Sequence, residues 1–502
     1  MSAQSDVLRL VDFGSDVAEN DAGLSEYFIE TTDFSTILSG KVDVIRGHKG
    51  LGKSAIYRTL LSGKHVPSNV VVVSASEATS SELFRATQSS VTTEDQFRLL
   101  WTAYLSSVIA NKTIEVISET PGNRSALKEI REFLKALGLS KDARPGGLMD
   151  AIRRTKSFGV GMGMSEEGIP SLNFNVEFDN KSERILLSEE HFIRLISMCA
   201  DVVRMASKRM WVLIDRLDEL FQKNSQNETL SLRALFRSHL NICAINQGQV
   251  DIRCKIFIRS DIYERITKKQ GFTNVTHLRD LNIIWNARSI VALVSRRVIS
   301  SNEISRILRS KGVKTEDPNA VWNFVVPDKI QGKGSPIWIA KATMDGLGAF
   351  NPRNYITLLS LSAKRNLELQ KNNPTGINFD YVLSTDSILS SFGELSRKRL
   401  DDTVLAEFSE CRPYIDRLRG GVASFESLAE LSEALGIEVA DSETLESAIE
   451  LLIESGVLRR VTHSTFSVAY LYRPALKAGN VARSPEGDVA GTPNNSLQGR
   501  RP

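Results

Sequence analysis

The stretch "VDVIRGHKGLGKSAI" (residues 42–56) decides the fold expected of this chain. Aliphatic and β-branched residues open it, a glycine-rich turn follows, and helical spacing begins near Ser54. The turn fits GxxxxGK[ST] at every fixed position from Gly47 to Ser54. A phosphate-binding loop needs a strand before it and a helix after it, and this stretch supplies both. The sequence therefore predicts a nucleoside triphosphate site, with a purely structural glycine turn as the alternative.

Each residue type in this loop has a physical role. Glycines let backbone N–H groups point inward at phosphate oxygens, and the following helix directs its positive dipole end at the same anion. Lys53 is expected to reach the β- and γ-phosphates, and the Ser54 hydroxyl to ligate Mg²⁺. ATP and Mg²⁺ are the expected ligands. The predicted nucleotide-binding residues are Gly47, His48, Lys49, Gly50, Leu51, Gly52, Lys53, Ser54 and Ala55.

A carboxylate at the end of a neighbouring strand is the second requirement of such a site. In "WVLIDRLDEL" (211–220) four apolar residues precede Asp215, which is expected to hold Mg²⁺ together with Ser54. The alternative for Asp215 is a helix cap after a buried strand. Asp218 and Glu219 are both candidates for the catalytic base, and the sequence does not choose between them.

Two arginines are predicted to sense the γ-phosphate. Arg259 ends an apolar run, so it is expected beside the phosphates, with a salt bridge to Asp261 or Asp215 as the alternative. Arg353 stands at a helix start in "GAFNPRNYITLL" (348–359), with a surface or capping role as its alternative. A neighbouring protomer could also supply an arginine, and Arg296, Arg297 and Arg353 are the candidates for that role.

The strand and helix pattern predicts an α/β fold: a parallel-sheet P-loop NTPase core with a helical insertion, a helical lid and a C-terminal winged helix. Strands are expected at 41–47, 69–76, 210–217 and 254–260. The expected organisation is an N-terminal segment (1–40), a core (41–280) with its insertion at about 77–205, a lid and connector (281–400), a winged helix (401–478) and a disordered tail (479–502). Within the insertion, residues 157–179 are predicted to form a hairpin.

Composition excludes several functional classes. The 502-residue chain is 41% hydrophobic and has a net charge of only +3, so no overall polyanion-binding character is expected. Four cysteines without metal-ligand spacing argue against a zinc site or a disulfide framework and favour a reducing cytoplasm. A signal peptide is not expected from the N-terminus, nor a membrane span from any apolar run.

Several of these motifs resemble those of the STAND and KAP branches of the AAA+-like P-loop ATPases. The segment "FGSDVAENDAGLSEYFIETTDF" (13–34), followed at once by "RGHKGLGKSAIYR" (46–58), is similar to the opening of a group of bacterial ATPases. The resemblance extends from about residue 10 to 475 and is strongest at 13–62 and 210–265. It implies an ATPase of the ASCE group and suggests a setting in anti-phage defence or mobile elements.

One residue departs from the pattern of these families. They place a second acidic residue directly after the first, where this chain has Arg216. The resemblance therefore implies ATP binding and slow hydrolysis, and it leaves a nucleotide-binding scaffold without turnover as an alternative.

The C-terminal pattern of helices and a strand pair (402–476) predicts a winged helix. Its expected recognition helix, "DSETLESAIELLIES" (441–455), carries several carboxylates and no basic residue, so DNA would repel it. We therefore favour a nucleotide-driven switch that acts on a protein partner, and a homo-oligomer is one option for its assembly. A nucleic-acid-engaging ATPase of the initiator or transposition-helper type is the alternative.

Overall fold

A computed structural model describes the chain over residues 3–75, 93–136, 163–164, 170–171, 174–176, 185–187, 189–217, 226–245, 252–268, 277–372 and 380–478. The chain divides into two compact units. The first, here called the sheet unit, comprises Leu10–Trp322 and Asn351–Ile356. The second unit comprises Met1–Arg9, Asn323–Phe350 and Thr357–Pro502. The sheet unit thus extends beyond residue 280, where the sequence suggested a boundary.

The described strands and helices are numbered here in chain order. The strands are β1 Val44–Gly47, β2 Val70–Ser74, β3 Gly163–Met164, β4 Pro170–Ser171, β5 Phe174–Val176, β6 Ile185–Leu187, β7 Arg209–Ile214, β8 Ile252–Arg259, β9 Asp280–Asn282, β10 Lys329–Ile330, β11 Lys333–Gly334, β12 Ser424–Phe425, β13 Leu458–Arg460 and β14 Phe466–Val468. The α-helices are α1 Ala3–Leu10, α2 Leu24–Tyr27, α3 Thr32–Leu38, α4 Lys53–Leu61, α5 Glu94–Val116, α6 Arg124–Ala136, α7 Glu189–Met205, α8 Gln226–Ile245, α9 Ser260–Lys268, α10 Ala287–Ile299, α11 Asn302–Ser310, α12 Pro318–Val325, α13 Ser335–Thr343, α14 Pro352–Asn372, α15 Thr385–Arg399, α16 Arg412–Leu418, α17 Leu428–Leu435, α18 Ser442–Glu454 and α19 Arg473–Leu476.

Five parallel strands form the central sheet, in the order β2-β7-β8-β1-β9. The four strands expected from the sequence are confirmed, and β9 is an edge strand that the sequence analysis did not predict. Strands β7 and β8 are buried along most of their length, which explains their nearly continuous apolar sequences. Strand β8 lies between β1 and β7. The sequence analysis expected the strand before Asp215 to be the direct neighbour of β1, the strand before the loop, but β7 is the next strand along.

The helical insertion between β2 and β7 belongs to the core of the sheet unit. Helix α5 packs against α7 and α8, and its Trp101 is fully buried, with its indole Nε1 donating to Ser231 Oγ at 3.0 Å. The predicted hairpin at 157–179 falls partly outside the described residues. Its described parts belong to two short antiparallel pairs, β3 with β4 and β5 with β6.

A buried carboxylate lies at the start of β1. Asp43 is 2% exposed, and its oxygens accept two hydrogen bonds of 2.8 Å from Arg279 and one of 3.1 Å from Arg253. Lys255 Nζ and His239 Nε2 lie 3.6 and 3.5 Å from the same carboxylate. Burial opposes ionisation of Asp43 and so acts to raise its pKa. The hydrogen bonds from His239 and Arg279 nevertheless hold the pKa of Asp43 well below its usual range. One side chain therefore joins β1, β8, α8 and the residue before β9.

In the second unit the C-terminal part has the arrangement of a winged helix. Helix α16, strand β12, helices α17 and α18, and strands β13 and β14 follow one another, and the three strands form an antiparallel sheet in the order β12-β14-β13. Helix α17 ends at Gly436, which adopts the left-handed conformation (φ +59°) that glycine tolerates best. None of the described helices is long and apolar enough to cross a membrane.

We expect Asp43→Asn to lower the free energy of unfolding by about 3–5 kcal/mol, because the buried Lys255 and Arg253 would lose their counter-charge. The lowered pKa means that the ionised carboxylate stabilises the fold above its unfolded value of about 4, and that this stability is lost as the pH falls below it. Urea unfolding at pH 7 and at acidic pH measures both effects.

Asp280→Asn is the matched control. Asp280 forms a half-exposed pair with Arg46 at 2.7 Å, so its loss should cost no more than about 1 kcal/mol. Equal losses in the two variants would contradict the anchoring role of Asp43.

Candidate nucleotide-binding site

The glycine-rich loop has the backbone shape that phosphate binding requires. Gly50 and Gly52 have φ angles of +87° and +90°, a region that residues with a side chain enter only with strain. Lys53, the first residue of α4, donates from Nζ to the carbonyl oxygens of Gly47 (2.7 Å) and His48 (3.1 Å). These two hydrogen bonds hold the Lys53 ammonium against the start of the loop.

The loop opens into a pocket of about 520 Å³, a volume typical of small-molecule sites. The pocket is also lined by the N-terminal segment from Ser15 to Asp21, by the ends of β7 and β8, and by the start of α14. The predicted site residues that line it are Lys49, Gly50, Leu51, Gly52, Lys53, Ser54, Ala55, Asp215, Arg259 and Arg353. Gly47 and His48 contribute the two carbonyl oxygens that hold Lys53, whereas Asp218 and Glu219 lie outside the described residues.

Asp215 directly follows β7 and is 5% exposed. The next residue, Arg216, has a φ of +59°, which is uncommon for a residue other than glycine and is often found at functional sites. Its guanidinium lines the pocket and donates to Glu19 at 3.0 Å. A cation therefore stands beside Asp215, at the position where the family pattern that the sequence resembles has a second acid.

Arg259 ends β8 and lies in register with Gly47, the first residue of the loop. Its guanidinium forms a two-pronged contact with Asp261, at 3.1 and 3.0 Å, which is the salt bridge considered as the alternative. Burial opposes ionisation of Asp261, yet the Arg259 charge lowers the pKa of that carboxyl. Arg259 is therefore both a pocket residue and half of an ion pair.

Two polar contacts to the loop were not foreseen. Asn351 donates from Nδ2 to the Lys49 carbonyl at 2.9 Å, and its Oδ1 accepts the backbone N–H of Arg353 at 3.1 Å. A Cβ atom on Gly50 would lie 2.5 Å from Asn351 Oδ1, so the amide packs directly on the loop. Trp285 donates from Nε1 to the Leu51 carbonyl at 3.0 Å. The Asn-Pro pair at the start of α14 marks a turn in the sequence, but it does not indicate the loop as the partner of Asn351.

Three arginines hold the N-terminal segment against the pocket. Arg353 donates from Nε to the Asp16 carbonyl at 3.1 Å, and Arg58 donates to the Ala18 carbonyl at 2.7 Å. Arg216 adds its bond to Glu19. Burial opposes ionisation of Glu19, but a backbone hydrogen bond and Arg216 lower the pKa of its carboxyl. The segment that the sequence placed outside the core is therefore part of the site.

The side chain of Arg297 is buried and makes its contacts within its own protomer. Its guanidinium is 5% exposed, pairs with Asp21 at 2.9 Å, and lies 4.6 Å from the ring centroid of Tyr27. Its Nη1 also donates to the Phe13 carbonyl. Arg297 and Arg353 both line the pocket of their own protomer, and a role of either of them or of Arg296 toward a neighbouring protomer stays a prediction.

No family model and no curated protein matches the chain. Similar solved structures include the ORC2 protein of Aeropyrum pernix in its ADPNP and ADP complexes, 12% identical over 88% of each chain, with a TM-score of 0.41. Another is Drosophila ORC bound to DNA, 9% identical over 94% of this chain and 92% of that chain, with a TM-score of 0.26. Both scores are too low to carry an argument about function, which must come from the residues of this chain.

We expect Gly50→Ala to weaken nucleotide binding by at least about tenfold, because a methyl group adds about 1–2 kcal/mol of backbone strain and displaces Asn351 from the loop. Isothermal titration with ATP and Mg²⁺ measures the change. Gly63→Ala is the control, since Gly63 also has a positive φ (+73°) but has no atom within 4 Å of its added Cβ. A similar loss of affinity in both variants would mean that general strain, and not the loop, is responsible.

Proposed function

We propose that the protein binds ATP with Mg²⁺ and hydrolyses it slowly, as a nucleotide-driven switch of the AAA+-like group. The observation that carries the proposal is the loop itself: Gly50 and Gly52 have positive φ, and the Lys53 ammonium donates to the carbonyl oxygens of Gly47 and His48. The same pocket brings together Ser54, Asp215, Arg259 and Arg353 from separate parts of the chain. This combination of cations, a hydroxyl and one carboxylate suits a triphosphate with its metal ion.

The residues present fit such a ligand. The close approach of Asn351 to Gly50 leaves no room for a side chain on the loop, as expected of backbone that must contact phosphate oxygens. Ser54 and Asp215 are the oxygen donors that would hold Mg²⁺, which, when bound, neutralises charge on the β- and γ-phosphate oxygens. Lys53 would exchange its two carbonyl partners for phosphate, and Arg259 would add positive charge at the end of β8.

The rate of hydrolysis depends on what orients the attacking water. Arg216 occupies the position of a second acid, and its contact with Glu19 directs its charge to the N-terminal segment. Asp218 and Glu219 remain the proposed bases, and a low turnover is consistent with the missing acid. A scaffold that binds ATP without hydrolysis is the second candidate, and Arg216 is the observation that favours it.

Helix α14 supports a switching role. Arg353 lies in its first turn and lines the pocket, and the helix continues from Pro352 to Asn372, beyond the end of the sheet unit at Ile356. A triphosphate would compete with the Asp16 carbonyl for the Arg353 guanidinium. Because a helix is stiff, a shift of its first turn would be passed along its length.

The winged helix favours a protein partner over DNA. Helix α18 exposes Glu443, Glu446, Glu450 and Glu454, and its sequence contains no lysine or arginine. A helix entering the major groove meets phosphates, which repel these carboxylates. We therefore propose that the protein acts on a protein partner, with DNA engagement through another surface as the alternative. The cytoplasm and a homo-oligomer are its proposed setting and assembly.

We expect Lys53→Ala to weaken ATP binding by about ten- to a hundredfold, because the charge-assisted hydrogen bonds of an ammonium contribute about 1.5–3 kcal/mol. Titration calorimetry on the full-length chain measures affinity, and phosphate release measures turnover. Unchanged affinity and turnover would refute the phosphate-loop interpretation.

Asp215→Asn separates binding from hydrolysis. Its affinity for ATP should stay within a few-fold of the wild type, whereas Mg²⁺-dependent turnover should fall by about two orders of magnitude. Binding without measurable turnover in the wild type itself would favour the scaffold.

We expect Mg²⁺-ATP to change amide hydrogen exchange in residues 357–372 of α14, and Arg353→Ala to abolish that change while Lys53 still supports binding. Hydrogen exchange with mass spectrometry, run at saturating ATP for each variant, measures the effect. Arg365→Ala is the control, because Arg365 is exposed on the same helix. A wild type whose exchange responds to ATP only within the sheet unit would contradict a switch through α14.

A further inference from the structure

The chain has one cysteine that differs from the others in its surroundings. Cys199, Cys254 and Cys411 are buried, whereas Cys243, in the last turn of α8, is partly exposed. Four residues earlier on the same helix, and so on the same face, stands His239, which is 1% exposed. This pair lies next to the Asp43 cluster, at the end of β1 opposite the phosphate loop.

The sulfur of Cys243 is surrounded by hydrogen-bond donors. It lies 3.6 Å from His239 Nε2 and 3.8 Å from Nδ1, and it accepts a bond of 3.4 Å from Arg253 Nη1. His239 is in turn 3.5 Å from Asp43, which favours its protonated form. A sulfur that accepts from an imidazolium and a guanidinium is stabilised as a thiolate.

The titration behaviour of these groups agrees with the geometry. Burial would raise the pKa of Cys243, but the hydrogen bond and charge of His239, together with Arg253, lower it. Burial likewise opposes protonation of His239, yet Asp43 and Cys243 raise its pKa well above the usual range. Cys254 also neighbours His239, but its burial dominates and raises its pKa. Of Cys243 and Cys254, only the partly exposed Cys243 therefore has a lowered thiol pKa.

A metal ion is a poor occupant of this cluster. Asp43, His239 and Cys243 place three potential ligand atoms within 4.8 Å of one another. However, the Arg253 guanidinium contacts both the carboxylate, at 3.1 Å, and the sulfur, at 3.4 Å. A fixed cation thus stands where a metal ion would bind, and Lys255 and Arg279 add further positive charge.

An oxygen atom on the sulfur, in contrast, would find a donor. Arg253 is 9% exposed, and its Nε is buried without a hydrogen-bond partner among the described residues. A buried unpaired donor is costly, commonly about 1–3 kcal/mol. An oxygen added to Cys243 would bring an acceptor to the guanidinium that already contacts its sulfur.

We propose that Cys243 is a reactive thiolate and a site of reversible oxidation by hydroperoxides. The sulfur attacks one peroxide oxygen, an S–O bond forms, and the O–O bond breaks. Sulfur loses two electrons and becomes a sulfenic acid, while the hydroxide released from hydrogen peroxide takes a proton from the His239 imidazolium and leaves as water. This inference does not rest on the proposed nucleotide binding.

The first test is the rate of alkylation by iodoacetamide at pH 7, mapped by mass spectrometry on the full-length protein. Cys243 should react at least about tenfold faster than the other three cysteines, and faster in the native protein than in urea, where its partners are lost. His239→Gln should slow the reaction by about tenfold, whereas Cys411→Ser, a buried and distant change, should leave it unaltered.

The second test treats the native protein with hydrogen peroxide and traps sulfenic acid with dimedone. The adduct should form at Cys243, be absent from Cys243→Ser, and be prevented when a thiol reductant is added before dimedone. Native Cys243 that reacts no faster than in urea would overturn the proposal, whatever the folding of His239→Gln. So would dimedone adducts that form at other cysteines instead.

Discussion

The sheet unit depends on the buried carboxylate of Asp43. Its partners come from β8, from α8 and from the residue before β9, so one negative charge fixes where four elements meet. Burying so many charges away from water costs free energy. Their mutual attraction offsets this cost only while all of them are present. Because Asp43 directly precedes β1, the strand that ends at Gly47, this cluster also sets the position of the glycine-rich loop.

At the other end of β1, the loop is supported by residues distant in the chain. Asn351 and Trp285 each donate to a loop carbonyl, at Lys49 and Leu51. The motif supplies the chemistry that can meet a phosphate, but its backbone conformation is maintained by tertiary contacts. Asn351 also binds the amide of Arg353, so the same side chain couples the loop to the first turn of α14.

Arg216 distinguishes this site because it places a cation next to Asp215. Its backbone adopts a left-handed conformation next to Asp215, and its side chain is committed to Glu19 in the N-terminal segment. If the site hydrolyses ATP as proposed, it needs an acid to orient water, and a cation at this position lowers the expected turnover and adds affinity for anions. The same contact links the pocket to a segment more than 190 residues away, which suits the proposed switch better than rapid turnover of ATP.

The sequence by itself determined the loop, the four main strands and the winged helix, because local composition and periodicity encode them. It also named Asp215, Arg259 and Arg353, which line one pocket with Lys53 and Ser54. Only the tertiary structure decided the short edge strand β9, the place of β8 between β1 and β7, and the contacts of Asn351, Trp285 and Glu19. These depend on pairings between residues far apart in the chain, and a single sequence carries no local signal for such pairings, since the residues involved are also common in turns, caps and surface ion pairs.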